Sequence, residues 1–321
     1  MKNVLTAPSN VELAPALLPI RTDASMDSKT QPFPYQGSKR SLAPTIVPLM
    51  GTCGRVVEPF AGSAAVSIAA RAASIAGPGI IADINAPLME LWRRILSDPN
   101  GLADAYAELW VAQQEDDPKT FFNMVRNRFN DSPEPADFLY LLNRIVKGAL
   151  RYGRDGRMNQ SPDNRRLGAK PAVVRTRLQR VAQLMNGTEV VTAPYEEVLA
   201  AVNPETDVVY MDPPYQGTTV SRDRRYISGL NRTDFEAQLA VLLDRGVRFV
   251  VSYDAVTTDS KYGEPLDSAL GLTHIHVTSG TSAQGTLVGK THMSVESLYL
   301  SPNLADNLPT DLGALSEARL F

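Results

Sequence analysis

Apolar and polar positions along this chain follow two rhythms. Short apolar runs of strand length stop at an acid or at a cluster of small residues, and longer stretches carry apolar residues at helical spacing. "RVVEPFAGSAAVSIAARAA" (55–73) starts as an apolar run and passes through Phe60-Ala61-Gly62-Ser63 into an alanine-rich helical pattern. "GIIADIN" (79–85) reads as a second strand ending in Asp83, and "APLMELWRRIL" (86–96) as the helix after it. Strand, small-residue turn, helix, strand and acid is the order of the mononucleotide half of a doubly wound sheet. The predicted fold class is α/β with a Rossmann-like sheet.

Residues 97–185 break this rhythm. "YAELWVAQQ", "TFFNMVRNRFN" and "ADFLYLLNRIVKGALRYG" read as helices, and "RDGRMNQSPDNRRLGAK" as a basic loop. Strand and helix patterns resume at "EVVTAPYEEVLAAV", "DVVYMDPPY", "RTDFEAQLAVLLDRG", "VRFVVSYDA", "THIHVTSG" and "VESLYLSP". The expected organisation is a flexible tail over 1–31, a catalytic α/β domain over 32–96 and 186–302, a mostly helical insertion over 97–185, and a peripheral tail over 303–321. Trp92 and Trp110 sit at apolar helical positions and read as core.

The run "DVVYMDPPYQG" (207–217) concentrates the chemistry. Val208 to Met211 read as a buried strand. Pro213 and Pro214 have no N–H for a ladder and fix φ, so the strand stops at Asp212 and a stiff turn presents Tyr215. Asp212 alone is either a turn-capping carboxylate or part of a site, since ligands bind at the carboxyl ends of strands in open α/β sheets. Asp83 follows Glu58 by 25 residues, close to the spacing of a ribose-binding carboxylate. The intervening turn is not a G-x-G-x-x-G fingerprint, which suits a ligand without a pyrophosphate.

Composition adds bounds. The 321 residues are 43% hydrophobic and 21% charged, the balance of a globular protein. No apolar run is long enough to span a bilayer, and Pro, Asn and Glu interrupt the N-terminal stretch where a signal peptide needs a continuous apolar core. The single cysteine, Cys53, excludes an intramolecular disulfide and fits a reducing cytoplasm. It provides no zinc spacing with the three histidines. His274 and His276 share one face of an expected strand without a third ligand. No metal is expected.

Net charge is −3, yet residues 144–180 hold eleven Lys and Arg against two Asp, a local charge of +9. Arg222, Arg224, Arg225 and Arg232 form a second cluster. Basic, loop-rich clusters in an acidic chain favour a localised polyanion contact over a solvated face.

Three motifs stand in order: "FPYQGSKRSLAPTIVPLM" with Gly37, Lys39 and Arg40, then "VEPFAGSAAV" with "ADIN", and last "DVVYMDPPY". With "NRIVKGALRYGRDGRMNQ" between them, they resemble the Dam-type, alpha-group DNA adenine methyltransferases, which take methyl from S-adenosylmethionine. The resemblance covers roughly 32–300. It departs in a cofactor turn poorer in glycine, in Pro194-Tyr195 where the family commonly has Asp-Phe, and in "SAQGTLVGKTHMS", where the family tends to carry arginines.

The resemblance implies a methyltransferase sheet whose insertion recognises the target, and transfer to the 6-amino group of a flipped adenine, leaving S-adenosylhomocysteine. It implies catalytic roles for Asp212, Pro213, Pro214 and Tyr215. It implies cofactor contacts from Tyr35, Gly37, Lys39, Glu58, Pro59, Phe60, Gly62, Ser63, Asp83, Ile84, Tyr195 and Asp212. DNA contacts are expected from Arg144, Lys147, Arg151, Arg154, Arg157, Asn159, Arg165, Arg222, Arg224 and Arg225. The partner is double-stranded DNA, in a restriction–modification setting with a cognate nuclease or in a phage or host context, with no membrane and the protein a monomer or weak dimer. The competing readings are a cytosine 4-amino methyltransferase, a catalytically silent DNA-binding relative, and a methyltransferase for RNA or protein.

Overall fold

The computed structural model describes residues 16–18, 30–153, 155–214, 230–257, 260–262, 264–281 and 293–307. The N-terminal strand of the mononucleotide half, β2 (Arg55–Glu58), runs into helix α2 (Ala65–Ala72), then β3 (Ile80–Asp83) and helix α3 (Ala86–Ser97). These match the strand–turn–helix–strand–helix pattern of the sequence. β4 (Glu189–Thr192) pairs parallel with β3 on the outer side, and β5 (Asp207–Met211) pairs parallel with β2 on the other. β6 (Arg248–Thr257) lies parallel to β5. Strand order thus reverses between β2 and β5, the topological switch point where open α/β sheets bind ligands.

Past β6 the sheet becomes mixed. β9 (Met293–Leu300) is antiparallel to β6 and to β8 (Thr273–Thr281), and a short β7 (Ser260–Tyr262) pairs with the far end of β6. The edge is completed by β1 (Ala16–Leu18), parallel to β8. The full path is β1-β8-β9-β6-β5-β2-β3-β4. Two expectations are corrected here. Residues 16–18 lie inside the span expected to be a flexible tail, yet they extend the sheet. Residue 304 lies inside the span expected to be peripheral, yet Leu304 is buried on the core cluster that contains helix α1 (Ala43–Met50). A ladder edge and an apolar groove hold them, and neither is visible in local composition.

The insertion comprises α4 (Pro99–Ala112), α5 (Pro118–Asp131), α6 (Pro135–Arg144) and α7 (Pro171–Leu184). Each begins with proline, whose missing N–H and fixed φ suit the first helical turn. Asp98 and Asp117 cap α4 and α5 by accepting from Gly101 N and Thr120 N, both at 2.8 Å. One apolar cluster runs unbroken from Phe33, Ala64 and Ile81 through Trp92 to Phe122, Phe138, Leu178 and Met185. Helices of the insertion and one face of the sheet therefore share a core. The other face is closed by α8 (Tyr195–Ala200) and α9 (Arg232–Asp244), through Leu199, Phe235 and Leu239 packed on Val209 and Val251.

His274 stacks on Tyr299 with ring centroids 4.2 Å apart, and the two are cross-strand neighbours in β8 and β9. Packing accounts for its position. Among the described residues no group of His, Cys, Asp and Glu has metal-holding geometry, and no helix is long and apolar enough to cross a membrane.

Candidate active site

A cavity of about 330 Å³ opens where the carboxyl ends of β2, β3 and β5 meet. Three segments from separate parts of the sequence build it. The first is the turn after β2. Gly62 has φ +49, and a Cβ there would stand 3.0 Å from the Tyr35 ring. A side chain at this φ would press on the Tyr35 ring, so glycine suits the covered turn. The turn is pinned from below, since Trp92 Nε1 donates to Gly62 O at 2.9 Å. It is also pinned from the side, where the Ser63 and Ser38 hydroxyls meet at 2.8 Å.

The second segment is the end of β3. Asp83 accepts from Asn85 N at 2.9 Å and from Gly62 N at 3.3 Å, which joins the two turns through one carboxylate. Burial pushes its pKa up, against those backbone N–H groups. Tyr152, on the insertion loop, also lines this side. Its hydroxyl is buried beside Asn85 without a hydrogen bond of normal geometry, and burial pushes it up to about 12.

The third segment is Asp212-Pro213-Pro214 after β5, all three lining the cavity. Asp212 Oδ1 lies 2.9 Å from Lys39 Nζ, which also lies 3.3 Å from Glu296 Oε2 on β9. Burial pushes Asp212 up to about 6, with Lys39 opposing and Glu296 adding. Glu58 is the other perturbed carboxyl, pushed up to about 7 by burial although Ser67 donates to it through both backbone and hydroxyl. That contact caps the first turn of α2, where Ala64, itself at φ +49, makes no side-chain cap bond.

Every residue expected at the cofactor lines this one cavity: Tyr35, Gly37, Lys39, Glu58, Pro59, Phe60, Gly62, Ser63, Asp83, Ile84, Tyr195 and Asp212. Phe60 and Tyr195 pack at 5.1 Å between ring centroids, forming an aromatic wall. Tyr195 opens helix α8 after Pro194, with Glu196 and Asp234 beside it on the cavity rim. Tyr215 lies outside the described residues.

The expected DNA contacts divide. Arg144 is a correction. It is 2% exposed, and its guanidinium donates to the carbonyls of Asp163, Arg166 and Pro118, fastening the basic loop to α5 and α6. It cannot reach a phosphate. Arg151, Arg157, Asn159 and Arg165 are exposed, with Arg157 paired to Asp131 at 2.7 Å and Arg165 to Asp163 at 3.5 Å. Arg154, Arg222, Arg224 and Arg225 lie outside the described residues, as does the side chain of Lys147. The loop carrying Arg151 and Arg157 turns back on itself, with Tyr152 and Met158 bridged antiparallel and Gly153 N donating to Arg157 O at 2.8 Å.

Gly148 ties this loop to the N-terminal motif. It has φ +63, its carbonyl accepts from Gln36 N at 3.3 Å, and a Cβ there would sit 2.4 Å from Pro34 O. Sequence reasoning missed Tyr152, Asn85 and Glu296. Asn85 follows the acid it assists, a usable signal. Tyr152 and Glu296 carry none, because only folding brings a loop tyrosine to the cavity and a strand glutamate to Lys39.

Residues 35–283 match the family described as D12 class N6 adenine-specific DNA methyltransferase. The chain is also similar to the retron Ec67 DNA adenine methylase of Escherichia coli, 30% identical over 191 residues, covering 57% of this chain and 63% of that protein. It is 27% identical over 176 residues to the type II methyltransferase M.MjaIII of Methanocaldococcus jannaschii, covering 52% of this chain and 60% of that protein. The matched segments therefore span less than two thirds of either relative's length.

Proposed function

The chain belongs to the D12 class of N6 adenine-specific DNA methyltransferases, and from that premise we propose that it methylates the exocyclic 6-amino group of an adenine lifted out of duplex DNA. The observation that carries the reading is the placement of Asp212-Pro213-Pro214 at the switch point, sharing one cavity with Asp83 and the Gly62 turn.

The donor set suits S-adenosylmethionine. Asp83 offers acceptors to a ribose, Phe60 and Tyr195 offer an apolar wall to an adenine ring, and the turn at Gly62 is too poor in glycine to cradle a pyrophosphate. The cofactor supplies an electrophilic methyl group on a sulfonium. Asp212 and the Pro213 carbonyl accept from the two amino hydrogens of the target, which favours localisation of the nitrogen lone pair. As that nitrogen gains positive charge, the carboxylate's interaction strengthens, so its contribution falls on the transition state. Tyr215 stacks on the extruded base. Arg151, Arg157, Asn159 and Arg165 face the duplex, with Lys147, Arg154, Arg222, Arg224 and Arg225 completing the set. The loop that places Tyr152 in the cavity also carries the exposed Arg151 and Arg157, which supports a target-recognition role for the insertion.

Tritiated methyl transfer to duplex DNA, with the product base identified by mass spectrometry, tests the reading. N6-methyladenine is expected. Methylcytosine as the product replaces the substrate, and an unmodified duplex leaves a DNA-binding relative.

A further inference from the structure

Behind Asp212 stands a residue that no motif marked. Glu296 is on β9, two strands away from β5 across β6. Lys39 is only 6% exposed and reaches both Asp212, at 2.9 Å, and Glu296, at 3.3 Å. One buried ammonium is thus shared by two half-buried carboxylates at the edge of the cavity. Building on the function proposed above, we propose that Glu296 is a positioning residue for methyl transfer, acting through Lys39 to keep Asp212 available to the target amino group.

A closed pair of Lys39 with Asp212 would be neutral, and its lysine would hold the carboxylate against a new partner. Sharing the ammonium with Glu296 loosens that hold. Lys39, Asp212 and Glu296 by themselves sum to −1, complementary to the positive charge that develops on the attacking nitrogen. The cluster is fixed in place from several elements. Lys39 sits in the short 3-10 turn Lys39–Ser41, Glu296 is registered opposite Ala255 of β6, and the Tyr210 and Ser252 hydroxyls meet at 2.9 Å on β5 and β6. Among the described residues, the charged groups facing Asp212 are Lys39 and Glu296, together with Glu58 on β2, and Tyr210 lies on its own strand.

The two neighbours pull Asp212 in opposite directions, which gives the test its sign. Glu296 adds to burial in raising the Asp212 pKa, and Lys39 lowers it. The full-length protein labelled with carboxyl-¹³C aspartate is titrated by NMR, with the Asp212 resonance assigned by its loss in Asp212→Asn. Its midpoint, about 6 in the unmodified chain, moves down in Glu296→Gln and up in Lys39→Met. Methyl transfer is followed in parallel. Glu296→Gln lowers kcat on the order of tenfold with the cofactor KM little changed, because the loss falls on the transition state. The acidic limb of its pH–rate profile moves down with the carboxyl midpoint, and Glu296→Asp restores rate and limb together. An Asp212 midpoint indifferent to Glu296→Gln overturns the inference, as do limbs that move the same way in both variants. If the carboxyl titrates as stated but DNA is not methylated at adenine, the coupling stands and the functional reading falls instead.

Discussion

Replacing Asp83 with alanine tests the cofactor contact proposed for the site. The carboxylate already receives Asn85 N at 2.9 Å on one oxygen and Gly62 N at 3.3 Å on the other. An ionised carboxylate has about four acceptor positions, so two remain for the cavity. A ribose hydroxyl bonded there gains a charge-assisted contact, whose loss costs about 1.5–3 kcal/mol, or roughly a tenfold to 150-fold rise in Kd. The same substitution leaves two backbone N–H groups without their acceptor, about 1–3 kcal/mol of stability. Thermal unfolding of the free protein measures that second term separately.

Calorimetry with S-adenosylhomocysteine and with its 2′-deoxy analogue completes a thermodynamic cycle. The unmodified protein should prefer the ribose form, and the preference should vanish in Asp83→Ala. The pH dependence has a fixed sign. Burial raises the Asp83 pKa, and binding uses the ionised form, so affinity should weaken as pH falls through the raised value and become pH-insensitive there in the variant. An Asp83→Ala protein that still discriminates between the two ligands would refute the ribose contact.

Asp212→Ala should lower kcat by about a hundredfold to a thousandfold, the cost of one preorganised electrostatic partner, while calorimetric cofactor affinity stays close to that of the unmodified protein. At the opposite end of β5, Asp207 is fully buried and takes a forked contact from Arg55 at 2.7 and 2.9 Å. Burial raises its pKa, but the guanidinium and the Asn203 N–H outweigh that and the net shift is downward. Its stabilisation is therefore present above the unfolded carboxylate pKa and disappears as pH falls through the lowered folded value. Asp207→Ala should cost about 1–3 kcal/mol in urea unfolding at neutral pH, through the Asn203 N–H and the Thr206 hydroxyl left without their acceptor, and less in acid. Arg144→Ala should destabilise the chain by about 1–3 kcal/mol, because the Arg166 carbonyl loses its donor, visible as a lower urea midpoint. Arg151→Gln and Arg157→Gln should leave unfolding almost unchanged and each flatten the slope of log affinity for DNA against log salt by about 0.9; an unaltered slope would remove that arginine from the phosphate contacts.

The sheet was legible because β2, β3 and β5 are buried parallel strands that end in acids, and each such ending leaves a mark in sequence. The cavity was legible for the same reason: Glu58, Asp83 and Asp212 all stand at strand ends, and strand ends converge at the switch point. Arg144 misled because a cation in a basic run looks the same whether it faces solvent or folds inward onto carbonyls. Glu296 and Tyr152 were hidden because they approach from a strand two positions away and from a loop, distances that local pattern does not encode. β1 was hidden because Ala16–Leu18 is too short to show alternation, and it exists only as a partner for β8.

The unbroken apolar cluster has a bearing on how this chain can diverge. A recombination that swapped residues 97–185 wholesale between relatives would cut through a jigsaw in which Phe122, Phe138 and Leu178 interlock with Trp92 and Ile81, and mismatched halves would leave holes. Among the described residues within 145–170 the buried apolar side chains are few: Ile145, Leu150, Met158 and Pro162. That stretch is the interchangeable part. Its exposed positions can vary without disturbing the core, provided the arginine anchor at 144 and the glycine at 148 are inherited with it.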